Sequence, residues 1–110
     1  MRTPYALIMV CVMSSCLQEE LDAANYEFRG SWDSEKYAMQ IFSNGSGFVD
    51  IRNRGRCEGN VWVRGDKLVF MSENEEDEVG YKKFHIDERP TTDAQGVTYM
   101  VLDGYRLEKQ

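Results

Sequence analysis

Among the side chains of this 110-residue sequence that could do chemistry are one histidine, three cysteines and one dense run of carboxylates. His85 stands alone between Phe84 and Ile86. Zinc sites gather several His and Cys ligands, and no cysteine pair lies near it. A Ser-His-Asp triad would have to use this one imidazole, yet no serine occupies a nucleophile elbow. Alternation with its apolar neighbours instead turns His85 toward solvent. Glu73-Asn74-Glu75-Glu76-Asp77-Glu78 places five carboxylates in six residues, which would suit a hard cation such as calcium. The run lacks the spaced ligands and central glycine of a calcium loop, so a solvated acidic loop is the expectation. Asn44-Gly45-Ser46-Gly47 lacks the lysine and following helix of a phosphate cradle. Cys57 beside Arg56 has the setting of an activated thiol. A small apolar residue buried in the core is the expected role. Paired carboxylates for glycoside hydrolysis need a wide groove, for which so small a domain has little room. The sequence therefore reads as non-enzymatic, with no catalytic, cofactor-binding or metal-ligating residue.

Charge narrows the partners. Thirteen basic against nineteen acidic residues give a net charge of −6. A nucleic-acid binder needs a basic face to displace counterions, and this balance runs the other way. With 42% hydrophobic and 12% aromatic residues, the chain suffices for one packed domain and not for two. Its basic residues concentrate at Arg52, Arg54 and Arg56. Such a turn near the acidic run would steer a partner toward the rim, chiefly through its on-rate. Two solvated loops of opposite charge are the alternative.

The first twenty residues follow other rules. Arg2 precedes an unbroken apolar run from Ala6 to Met13, too short to span a bilayer but suited to a signal peptide. Met13-Ser14-Ser15-Cys16 resembles the lipobox of bacterial lipoproteins, with Met13 in place of the usual leucine. The resemblance implies cleavage before Cys16 and acylation of its thiol, which holds a soluble domain on a bilayer. An ordinary cleaved signal is the alternative. Leu17-Gln18-Glu19-Glu20 resembles the export signal of surface-exposed Bacteroidota lipoproteins, although a periplasmic tether would look the same. The organisation is then signal peptide 1–15, lipidated tether 16–25 and folded domain 26–110. The location implied is the cell envelope, as an outer-membrane lipoprotein. The mature chain would keep Cys57 beside the acylated Cys16, so no intrachain disulfide is expected.

Beyond the tether the patterning is all-β. Strands are expected near 27–33, 37–43, 47–53, 57–64, 67–72, 81–88, 97–102 and 105–109. Turn chemistry separates them, most plainly Asp103-Gly104 between two alternating segments. A longer loop is expected over Arg89 to Gly96, because Pro90 cannot sit in a central strand. Short connections pair each strand with its sequence neighbour. The expected fold is an antiparallel up-and-down meander of about eight strands, closed or nearly closed into a barrel. A two-layer sandwich is the alternative. Successive turns would alternate between ends, with Arg64–Asp66 at the tether end and Asp103–Gly104 at the far end.

Gly30-Ser31-Trp32 resembles the Gly-x-Trp signature of lipocalins. That implies a structural role for Gly30 and Trp32, the tryptophan plugging the closed end of the barrel. It also implies a helical turn over Leu21 to Asn25, and Arg106 as a candidate for the cation that stacks on the tryptophan. The function implied is a lipid-anchored, lipocalin-like binding module for a small apolar ligand or peptide. The alternative is a protein-interaction subunit or hydrolase inhibitor of the envelope. A cavity lined by aromatics favours the first. A filled barrel with an apolar outer patch near Trp62 and Met71 favours the second.

Overall fold

The structure, a computed structural model, describes residues 21–73 and 79–110. The signal segment, Cys16 and Asn74–Glu78 of the acidic run lie outside the described residues. A 3-10 helix at Ala23–Phe28 leads into eight strands. They are β1 (Gly30–Asp33), β2 (Tyr37–Ile41), β3 (Ser46–Ile51), β4 (Gly55–Arg64), β5 (Lys67–Ser72), β6 (Tyr81–Thr92), β7 (Thr98–Leu102) and β8 (Tyr105–Lys109). Each pairs antiparallel with its neighbour, and β1 returns to β8 to close an up-and-down barrel. This is the antiparallel up-and-down meander the patterning predicts, and its closed eight-stranded form is the lipocalin-like one that the Gly-x-Trp resemblance implies. Closure removes the exposed edges that an open sheet would present. The seam is narrow: Trp32 opposes Lys109, Asp33 opposes Glu108, and the Gln110 amide donates to the Ser31 carbonyl at 2.9 Å.

Alternation drives the packing. Tyr37, Met39 and Ile41 of β2, Val49 and Ile51 of β3, and Leu68 and Phe70 of β5 point inward and are buried. Phe84, Met100 and Leu107 meet them from β6, β7 and β8 with no exposed surface. Tyr37 packs edge-on against Phe84 and Tyr105, with ring centroids 4.9 and 5.4 Å away. Cys57 is also fully buried, in the apolar role expected of it. Gly47 opposes Gly59 where β3 meets β4. A Cβ on either would collide with backbone, the Gln40 carbonyl for Gly47 and the Met71 carbonyl for Gly59. Neighbouring backbone thus approaches closely at this pair, where neither position has a side chain.

Three expectations change. The first strand begins at Gly30 rather than residue 27, because Glu27 and Phe28 belong to the 3-10 helix. The packed body begins earlier than residue 26. Leu21 is buried, and its amide donates to the Ser43 carbonyl at 3.0 Å, so the chain already packs on the barrel at Leu21. Finally, β6 runs through Pro90 to Thr92, leaving a loop only from Asp93 to Val97. The β6–β7 register slips between Glu88 and Thr91, which oppose Val101 and Tyr99. Pro90 sits in that slip, where the ladder asks no amide of it.

Candidate functional site

The closed end is built around Trp32. Its side chain is 1% exposed, and its indole Nε1 donates to the Phe28 carbonyl at 2.9 Å. Phe28 itself is completely buried, so the 3-10 helix acts as a stopper. Arg89 of β6 holds this helix: its guanidinium pairs with Glu27 at 2.7 Å, reaches Asn25 at 3.0 Å and lies 4.9 Å from the Phe28 ring centroid. The cation over Trp32 is Lys109, 5.6 Å from the ring centroid, and not Arg106. Arg106 lies over Tyr99 at 3.8 Å and pairs with Asp93 at 2.7 Å. It faces outward beside the inward Leu107 and stands three residues before Lys109, the residue that opposes Trp32. Gly30 adopts φ +118°, and a Cβ there would lie 2.7 Å from Lys109 Cε, so the lysine crosses the space glycine leaves.

At the far end the three arginines part company. Arg56 grips Asp50 with two bonds, 2.7 and 2.9 Å, and stacks 4.0 Å from the Phe48 ring centroid on the outer wall. That carboxylate, followed by Glu58, holds the guanidinium pKa above its ordinary value. Arg52 donates to the Glu35 carbonyl at 3.1 Å and so ties the β3–β4 turn to the β1–β2 turn. Arg54 is exposed and makes no ion pair among the described residues. The three do not form one basic cluster. They border two open clefts instead, of about 420 and 590 Å3, which share Asp50 and Ile51 in their linings. Lys36 and Lys82 extend this rim inward. Lys36 Nζ lies 5.3 Å from the Tyr105 centroid, Lys82 Nζ lies 4.8 Å from that of Phe84, and both sit 5.5 Å from Tyr37. Sequence reasoning missed this lysine–aromatic cap. The inward phase of Lys82, two residues before Phe84, was its available signal.

His85 is exposed, as its alternation predicts, but it is not alone. Its Nε2 meets Asp66 and its Nδ1 meets Asp87, both at 2.9 Å. Asp103 accepts the His85 amide at 2.9 Å, and the Gly104 amide donates to Asp87 at 2.6 Å. The Gly104 amide and the His85 ring hold the Asp87 pKa below the ordinary carboxylate range. Lys67, helped by His85, does the same for Asp66. Chain order places the turns of Asp66 and Asp103 at opposite ends, yet both close on His85. The reason is stagger: β5 pairs with Tyr81–His85 of β6, whereas β7 pairs with the stretch from Ile86 onward. Barrel closure requires such a shear. Chemically the cluster is a clamp, with both imidazole nitrogens engaged by carboxylates. No cluster of His, Cys, Asp or Glu among the described residues is arranged to hold a metal ion.

The fold defines the class: a small all-β, closed, eight-stranded up-and-down barrel of lipocalin-like form. Comparison with family models, curated proteins and solved structures finds no match.

Proposed function

We propose that this protein is a non-enzymatic, lipid-anchored binding module of the bacterial envelope that receives a protein or peptide partner on the rim of its far end. The observation that carries this reading is the division of space. The barrel interior is taken up by its own side chains, among them Trp32, Phe70, Phe84, Met100 and Leu107, each fully or almost fully buried. The recesses at the far end lie outside this core, between the β1–β2 and β3–β4 turns. A small apolar ligand of the kind lipocalins enclose would have to displace core residues. A partner surface or chain segment needs only the rim. Arg54, with no ion pair among the described residues, would lead the encounter.

Anchoring rests on the lipobox resemblance at Cys16, and Cys16→Ser is expected to release the protein from membranes into the soluble fraction. For the rim, the experiment is native mass spectrometry of the lipoprotein purified from its own membranes. The intact chain is expected to carry a protein or peptide that Arg54→Glu loses at low salt while thermal stability is unchanged. A bound small apolar molecule, or a partner indifferent to that reversal, would overturn the rim reading.

A further inference from the structure

We propose that the tether end of the barrel docks directly on the phospholipid surface that anchors the chain, with Phe42 and Trp62 at the headgroup–acyl boundary and Arg64 on lipid phosphate. This rests on acylation of Cys16 and is independent of the far-end rim. Two backbone hydrogen bonds place the aromatic pair. Leu21 donates to the Ser43 carbonyl at 3.0 Å, beside Phe42, and Val61 donates to the Gly45 carbonyl at 2.8 Å, beside Trp62. Leu21 is thus bonded to the residue after Phe42 and shares a cleft with Trp62. Both are out of phase with the core. Phe42 follows the inward series Tyr37, Met39, Ile41 and is 42% exposed. Trp62 stands outward between Val61 and Val63 and is half-buried. It borders an open cleft of about 340 Å3 together with Leu21, Asp22 and Arg64.

Covalent geometry then sets the distance. Cys16 and Leu21 are five residues apart, so their Cα atoms stand at most about 18 Å from each other even when fully extended. An acylated Cys16 therefore keeps this end at the bilayer surface, and a second contact there acts at high effective concentration. The side chains present suit an interface. Aromatic rings favour the headgroup level, and an arginine buries its stem while its guanidinium reaches phosphate. Arg64 is exposed and forms no ion pair among the described residues. Among the described residues that line the cleft, the opposing charge is Asp22, whereas Asp66 nearby is already paired with Lys67 at 2.8 Å.

The two tryptophans make the test direct, because Trp32 is 1% exposed inside the core and only Trp62 reaches the outside. The acylated mature protein is reconstituted into phosphatidylcholine–phosphatidylglycerol vesicles whose lipids carry bromine close to the headgroup. Tryptophan emission is expected to fall, and the loss to vanish in Trp62→Phe. Phe42→Ser combined with Arg64→Glu leaves both tryptophans in place and is expected to reduce the loss. An acylated chain whose emission bromine does not change overturns docking and leaves the anchor standing. A chain whose mass shows no acyl group removes the anchor and the docking with it. A photo-crosslinker at position 42 that captures a protein rather than lipid in native membranes also overturns the proposal, assigning this face to a partner.

Discussion

The indole Nε1 of Trp32 donates a 2.9 Å hydrogen bond to the carbonyl of Phe28, four residues earlier. One side chain thereby fills the closed end of the barrel and fixes the helix that stoppers it. Trp32→Ala is expected to cost about 3–5 kcal/mol, as large aromatic truncations in cores do. In so small a domain that is a large share of total stability. Trp32→Phe keeps much of the volume and removes the donor, so it should still cost at least about 1 kcal/mol through the stranded carbonyl. Urea denaturation reads both. A loss below about 1 kcal/mol for Trp32→Ala would place the structural centre elsewhere.

The glycine pair between β3 and β4 makes a second prediction. Gly47→Ala and Gly59→Ala push a methyl group into backbone, and each is expected to cost about 1–3 kcal/mol, as overpacking does. Gly80 has open space where its Cβ would stand and no left-handed φ. Gly80→Ala is therefore the matched control and should leave the midpoint unchanged.

Acid should weaken the protein from one side only. Asp66 is held low by Lys67, Asp87 by the Gly104 amide and His85, and Asp93 by Arg106 and the Val97 amide. A depressed folded pKa contributes stability that is complete above the unfolded carboxylate value, about 3.9 for aspartate. That contribution is lost as pH falls through the lower folded value. The denaturation midpoint should decline below that point. Asp66→Asn, Asp87→Asn and Asp93→Asn together should flatten the decline. An unchanged slope in the triple variant would show that these exposed contacts add nothing.

Cys57 has no exposed surface. Iodoacetamide is expected to leave it unmodified in the native protein and to label it fully in urea, as read by mass. Rapid native labelling would contradict its buried position.

The arginines at the far rim divide by environment. Arg56→Glu faces Asp50 and Glu58 with a third carboxylate and removes an exposed pair. Its stability cost should stay within about 1 kcal/mol, as surface ion pairs do. Arg54→Glu breaks no ion pair among the described residues and should leave the melting curve in place. Equal destabilisation by both would show that Arg54 also has a partner.

Much of this architecture is local in origin and so was legible in the chain. Period-two alternation placed all eight strands, because each needs only its own inward and outward residues. Asp103 and Gly104 adopt φ +51° and +83°, the paired left-handed turn that their residue types favour. The burial of Trp32 followed from the Gly-x-Trp resemblance, and the structure places it 1% exposed in the core. Pairing across the barrel was not legible, because register depends on how strands slide past one another as the sheet closes. That stagger brought Asp66 and Asp103 together on His85, let β6 continue through Pro90, and put Lys109 over Trp32 in place of Arg106. Nor did the sequence show that Arg52 reaches the Glu35 carbonyl while Arg56 pairs with Asp50 on the outer wall. Spacing along a strand says which way a side chain points, and only the closed sheet decides what it meets.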